Sequence, residues 1–280
     1  MKVLITGAAS QIGRYLIPGL VERGHECLCV SRKPHADQPG EHWIEHDLKG
    51  LSDKLYEQNA DAWIHLAPMD LLPSLMNAAQ RMGIRHIVAF SSTSIFTKQV
   101  CATPAEKAFI SRLTDAEQDL ASYAEAHDIA WNVFRPTLIY SGMDKNVSFI
   151  SRMVRRFGFF PLVGNGLRQP VHAEDLARAC IDVLAHPEAR NRAYNLGGGE
   201  VLPYSEMVRR IFRAQGLNPR LMPIHPAPVR LMIRLFKMFP SYRYLTPAMV
   251  DRMAQDMVFE SEEARRGFGY TPRPFEPPRR

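Results

Sequence analysis

Cysteine is scarce in this chain of 280 residues. Cys27, Cys29, Cys101 and Cys180 are the only four, with no CxxC spacing and no histidine at ligand spacing. That excludes a disulfide framework and a cysteine-rich metal centre, and it predicts buried free thiols and no metal. No apolar run reaches the length that crosses a bilayer, and no charged stretch followed by an apolar one opens the chain, so the expected location is the cytoplasm. Charge of one sign is also lacking. The net +6 comes from 35 Lys and Arg against 29 Asp and Glu, spread without a block, so nucleic acid is not an expected partner. There is no internal repeat, and only Pro272–Arg280, rich in Pro and Arg, has a composition that predicts disorder. What remains is 46% hydrophobic residues, enough for a packed core in one large domain or two unequal lobes.

The most informative stretch is Met1 to Gly13, MKVLITGAASQIG. A short apolar strand, Val3 to Ile5, runs into a glycine-containing turn and then into an amphipathic helix. A strand that delivers a turn, small residues that let backbone approach phosphates, and a helix N-terminus with unpaired N–H groups together suit a dinucleotide pyrophosphate. Thr6, Gly7, Ser10, Gln11, Ile12 and Gly13 are the candidate cradle, with Ser10 where a middle glycine is common. After a second strand, Cys27 to Val30, one looks for an acid that would bond the 2′-hydroxyl of NAD. The chain offers Ser31, Arg32 and Lys33 instead, which suit a 2′-phosphate. NADP is the expected cofactor, with NAD the alternative. Asp47 and Leu48, after a short third strand at Trp43 and Ile44, are candidates to flank the adenine, although an Asp there also suits a turn.

Strands and helices alternate along the chain, as in a parallel sheet covered on both faces. Strands are expected at Ala62 to Leu66, His86 to Phe90, Ala130 to Phe134 and Ala193 to Leu196. Helices are expected at Gln11 to Arg23 with Gly24 ending it, at Leu51 to Gln58, Leu72 to Met82 and Glu174 to Ala185. Thr103, Pro104 and Glu106 place a cap, a first-turn proline and a capping-box acid in order, so another helix runs from there to about Ala126. From Gly197 the pattern turns to helices and Pro-rich turns. The expected architecture is α/β: a doubly wound parallel Rossmann sheet from residues 1–140 with 168–196, and a small substrate-side lobe from 141–167 with 197–280.

These segments resemble the extended short-chain dehydrogenases/reductases, the NAD(P)-dependent epimerase/dehydratase-like group. TGAASQIG resembles the glycine turn; Asp61 to Pro68, DAWIHLAP, resembles the fourth-strand segment that passes the pyrophosphate and nicotinamide ribose. Phe90 to Phe96, FSSTSIF, looks like the serine segment, and Arg135 to Tyr140, RPTLIY, like the segment lining the nicotinamide. Gly164 to Leu176 is similar to the loop into the late helix, and Asn195 to Gly198 to the last strand. The resemblance implies cofactor contacts from Leu66, Ala67, Pro68, Ser91 and Pro136, a substrate phosphate at Arg168, and a small-molecule substrate such as a nucleotide-sugar.

The same resemblance implies a Tyr-x-x-x-Lys pair on the helix after the serine segment, in which the phenol moves a proton and the Lys lowers its pKa. This chain has nine tyrosines and none is followed four residues later by lysine. Anchored on Glu117, the alignment puts Phe109 and Leu113 at those positions, on one stripe with Ala116 and Leu120. Ser92, with Thr93 as runner-up, is left as the hydroxyl that orients a substrate oxygen. Lys98, Lys107 and Tyr140 are weaker proton-donor candidates, each more simply an exposed charge or a packed ring. His172 and Asp175 look like a catalytic pair but fit better as a structural His and a helix N-terminal acid. The basic amphipathic stretch Val229 to Phe239 suits a packed lobe helix better than a membrane surface. Two functions follow: an atypical oxidoreductase or epimerase-like enzyme on a nucleotide-sugar or similar carbonyl or alcohol, or a catalytically silent NADP(H)-binding regulator or sensor.

Overall fold

The computed structural model describes residues 1–49, 57–97, 103–236 and 247–279. The expected helix over Leu51 to Gln58 falls largely outside them, as do Lys98, Cys101 and the end of the Val229 to Phe239 stretch.

Seven parallel strands form the central sheet: β1 (Lys2–Thr6), β2 (Glu26–Ser31), β3 (Glu41–Glu45), β4 (Ala62–His65), β5 (His86–Phe90), β6 (Ala130–Pro136) and β11 (Arg192–Leu196), in the order β11-β6-β5-β4-β1-β2-β3. Three two-stranded ladders lie outside it, pairing β7 (Ile139–Tyr140) with β10 (Val171–His172), β8 (Phe160–Leu162) with β13 (Leu221–Pro223), and β9 (Leu167–Arg168) with β12 (Leu202–Pro203). The chain leaves β1 towards β2 and β3, then returns to β4 on the other side, with Thr6 level with both Val30 and His65. That reversal splays the connections apart and opens a crevice beyond the carboxyl ends of β1 and β4.

The near-continuous apolar strands are explained by burial on both faces. Val3 and Ile5 join Leu16, Leu20, Leu176 and Cys180 under the helices Gly13–Val21 and Ala173–Ala185. Leu4 faces the other way, with Trp63, Leu113 and Leu120 of the Pro104–Ala126 helix. That long helix starts as its sequence predicts. Glu106 N–H donates to the Thr103 hydroxyl, and Thr103 N–H donates back to the Glu106 carboxylate at 3.1 Å. A third cluster, including Tyr140, Ile150, Val154, Met207, Phe212 and Phe275, unites the segments between and after the late strands.

Two expectations are corrected. Leu72 to Met82 is not one helix: 3-10 turns at Met69–Leu71 and Pro73–Leu75 precede a short helix, Asn77–Arg81, because Pro73 has no N–H to continue the ladder. Through Arg279 the C-terminal tail is packed against the fold rather than disordered. Phe275 is 1% exposed in the third cluster, and Arg273 donates from its backbone N–H and Nε to buried Asp175 at 3.0 and 2.9 Å. Its prolines lower the entropy lost on docking.

Candidate functional site

The opening turn is built by close approach. Gly7 has φ +75°, and a Cβ there would lie 2.6 Å from Ala67 N and 2.8 Å from Leu66 C, so the β1 and β4 ends meet only because Gly7 has no side chain. Leu66 N–H donates to Thr6 O at 2.8 Å, and Ala67 and Pro68 follow at the same rim, Pro68 exposed. Gly13 abuts Ala8, with its would-be Cβ 1.9 Å from Ala8 O. Ser10 fills the missing glycine's place usefully, since its hydroxyl accepts from Gly13 N–H at 3.2 Å. The Gln11 and Ile12 amides form no hydrogen bond among the described residues. Two free donors at the start of a helix, beside a glycine rim, fit a pyrophosphate in charge and shape. Beside this rim the Ser91 hydroxyl is buried with no partner, although Ser91 N–H donates to Phe134 O.

Several expected side chains turn out to serve the core. Thr6 is fully buried, and its hydroxyl is the middle of a closed relay: Trp63 Nε1–H donates to Thr6 Oγ1 at 2.8 Å, Thr6 O–H to His65 Nδ1 at 2.7 Å, and His65 Nε2–H to Pro68 O at 3.1 Å. The last bond fixes the His65 tautomer, and burial pushes its pKa down to about 4. Thr6 therefore shapes the rim through its backbone and offers no free hydroxyl. Ile12 and Leu48 are likewise packed, at 6% and 8% exposure, which leaves only their backbones for a ligand.

At the β2 end, Arg32 and Lys33 are exposed and enter no ion pair among the described residues. Ser31, 8% exposed, accepts from Lys33 N–H at 3.2 Å, which ties the two cations to the strand end. Asp47 is exposed and accepts from Lys49 N–H, an ordinary turn contact.

A cleft of about 580 Å³ continues from Gln11 to Ser92, Thr93, Ser94, Thr137, Lys145, Asn146, Arg168 and Gln169. Ser92 O–H donates to Ser94 Oγ at 3.0 Å, so its oxygen stays in the cleft wall. Thr93 is corrected as a catalytic candidate: it is 6% exposed, and its hydroxyl donates to Pro136 O at 3.1 Å. The buried Pro136 thus holds the serine segment by its carbonyl. Arg168 is corrected as well. It is 4% exposed; Nη1 donates to Leu167 O and Gln255 O, Nη2 donates to Arg252 O and Met253 O, and the group lies over the Tyr204 ring at 5.3 Å. A guanidinium with both terminal nitrogens occupied clamps the segment around Arg252 and cannot offer a fork to phosphate.

The remaining candidates are structural. Leu113 is 4% exposed, Phe109 is half-buried against the same core, and Lys107 is exposed at the helix start. Tyr140 is fully buried, accepts from Glu276 N–H at 3.2 Å, and has its pKa raised by burial. His172 caps the Ala173–Ala185 helix by accepting from Glu174 N–H at 3.3 Å, with its pKa lowered by burial and then by Arg273. Asp175 holds Arg273. His172 and Asp175 are thus the structural pair that the sequence favours. Cys27, Cys29 and Cys180 are free and buried, and no group of metal-ligating side chains occurs among the described residues. No helix among them is long and apolar enough to cross a membrane.

Sequence reasoning missed Lys145, Asn146 and Gln169. The first two sit on a loop that Asp144 shapes by accepting from Asn146 N–H at 2.9 Å and Val147 N–H at 2.6 Å. The signal was SGMDKN ahead of the apolar positions Val147, Ile150 and Val154. Gln169 donates from Nε2 to Gly198 O and accepts Phe259 N–H, so it pins the cleft's far wall.

Known proteins place this architecture. The chain is 26% identical over 97% of its length to a 2-alkyl-3-oxoalkanoate reductase of Stenotrophomonas maltophilia, 95% of which is covered. Among solved structures it superposes on MoeE5 in complex with UDP-glucuronic acid and NAD, with TM-score 0.74, 20% identity and 98% and 95% of the two chains covered. A UDP-glucose 4-epimerase from Stenotrophomonas maltophila gives TM-score 0.75 at 17% identity, covering 98% and 94%. The family model described as "NAD dependent epimerase/dehydratase family" matches residues 3–74 and 70–197, and with the glycine rim, the parallel sheet and the serine segment now in place, the chain belongs to that family.

Proposed function

We propose that this chain binds NADP(H) across the carboxyl edge of the sheet and acts as an oxidoreductase or epimerase-like enzyme on a carbonyl or alcohol substrate, with a nucleotide-linked sugar as one class. The observation that carries the reading is continuity. A single cleft is lined at one end by Gln11 of the glycine turn and further along by Ser92, Lys145 and Asn146. The relatives named above support it, since one is a reductase of a 3-oxo acid and others are nucleotide-sugar proteins.

The nicotinamide would supply the hydride donor or acceptor; everything else falls to side chains. Ser92 presents a hydroxyl oxygen held by Ser94, suited to orienting a substrate oxygen. Lys145 is exposed and in no ion pair among the described residues, so its ammonium can offset negative charge developing on that oxygen. Among the described residues no tyrosine lines the cleft, and Tyr140 is sealed under the tail. Proton exchange therefore passes through Ser92 and solvent in the open cleft. The experiment is steady-state absorbance of the reduced cofactor over a panel of 3-oxo acids, simple ketones and nucleotide-sugars, with the nucleotide-sugar products resolved by chromatography because an epimerase returns its cofactor unchanged. Cofactor consumption with any of them, or an epimerised nucleotide-sugar, weakened in Ser92→Ala, is the expected result. Tight binding without turnover across the panel would overturn it in favour of a silent NADP(H) sensor, the reading that the buried Leu113 at the lysine position favours.

Cofactor choice is tested separately. Arg32→Asp should weaken NADP at least tenfold and leave NAD nearly unchanged, as expected for the loss of a charge-assisted phosphate contact of about 1.5–3 kcal/mol. Equal loss for both cofactors by fluorescence titration would remove the case for NADP.

A further inference from the structure

We propose that the face formed by the end of the Val147–Phe157 helix and the β8–β13 ladder docks on an acidic phospholipid surface. The net charge of the chain conceals a segregation. Residues 141–167 and 197–280 hold 18 Lys and Arg against 9 Asp and Glu, while the rest of the chain holds 17 against 20. Residues 207–250 carry eight cations and no acid, and no acid occurs from Lys145 to Ala173. The cations are also unspent. Arg152, Arg155, Arg156 and Arg220 are exposed and join no ion pair among the described residues.

Apolar side chains stand among them. The helix ends at Gly158, φ +72°, and the reversal brings the Phe157 and Phe159 rings to 6.3 Å from each other, at 56% and 38% exposure. Phe160 N–H donates to Arg220 O at 2.9 Å, and the parallel ladder sets Met222, 50% exposed, level with Pro161. None of these residues lines the cleft from Gln11 to Gln169. Exposed Phe157, Phe159 and Met222, with unpaired arginines next to them on the same helix end and ladder, match a headgroup layer, which takes the apolar side chains at the acyl boundary and the guanidinium groups at the phosphates. A polynucleotide would satisfy the arginines and leave Met222 in water.

The test is co-sedimentation of the full chain with vesicles of phosphatidylcholine alone, or of phosphatidylcholine with about one third phosphatidylserine. Partition to the acidic vesicles should exceed that to neutral ones at least tenfold and fall as salt screens the charges. The charge swap Arg155→Glu with Arg156→Glu should reduce it tenfold or more, and Phe157→Ser with Phe159→Ser severalfold. The matched swap Arg190→Glu with Arg192→Glu, at exposed positions just before and at the start of β11, should leave it unchanged. Should the first swap not fold, judged by circular dichroism, Arg152→Glu with Arg220→Glu replaces it. Absence of partition to acidic vesicles would overturn the proposal, as would equal loss in the two matched swaps, or retention on heparin or RNA under conditions where the vesicles are ignored.

Discussion

Gly13→Ala should be among the most damaging single methyl additions at the described residues, rivalled by Gly198, where a Cβ would lie 1.7 Å from Pro170 O. At Gly13 the added carbon would sit 1.9 Å from Ala8 O, and both partners are backbone with no flexible end to swing away. The start of the Gly13–Val21 helix would have to lift from β1, which breaks the packing of Leu16 and Leu20 and carries the free Gln11 and Ile12 amides out of register. Overpacking of this kind costs about 3 kcal/mol or more. The expected result is a large fall in melting temperature together with at least tenfold weaker dinucleotide binding. Ser10→Ala, three residues earlier, loses only the bond from Gly13 N–H and should cost about 1 kcal/mol. A Gly13→Ala variant that melts within a degree of wild type would show that the turn is not held by this contact.

Acid should unfold the protein earlier than its carboxylates alone would require. His65 and His86 are 0% and 4% exposed, and burial pushes both pKa values down to about 4. Their hydrogen bonds demand the neutral form. His65 accepts from Thr6 at Nδ1. His86 donates from Nε2 to Asn132 Oδ1 at 2.8 Å, because Asn132 spends its amide on Ala189 O and Arg192 O, and the bare Nδ1 is buried without a partner. Since the folded pKa lies below the unfolded value near 6.5, the unfolded state binds more protons over this range. Stability is then full above about pH 6.5 and is lost as pH falls towards 4, by about 3 kcal/mol for each histidine at the limit. Urea midpoints measured from pH 7 to 4.5 should fall steeply. In His86→Gln, whose side chain cannot gain a charge, the slope should be roughly halved; an unchanged slope would clear His86 of the role.

The sheet was legible in the sequence because its central strands are runs of apolar residues closed by turn chemistry, and residues such as Val3, Leu4 and Ile5 are buried whichever way they face. The capping box at Thr103 and Glu106 was legible for a different reason: its partners are three residues apart, and local geometry suffices. Arg168 defeated the same reasoning because its acceptors lie 84 to 87 residues away in sequence at Arg252, Met253 and Gln255. A charged residue in a loop reads as a free ligand until tertiary structure supplies its carbonyls. The tail failed similarly, since composition reports the lack of a self-made core and says nothing of a groove elsewhere that accepts Phe275. Thr6 and Thr93 were placed at the right strand ends, but which way a hydroxyl points is decided by neighbours such as Trp63 and Pro136 that no local pattern names.

The contact between Asp175 and Arg273 also bears on synthesis. The two residues are 98 positions apart, so the carboxylate leaves the ribosome well before its cation. Until then the first turn of the Ala173–Ala185 helix cannot settle fully on the sheet without burying an unpaired charge, a penalty of several kcal/mol. Final closure of this edge is thereby deferred to the emergence of the Arg273 segment, while the β1 to β5 half, whose pairings are all made from earlier residues, is free to consolidate first.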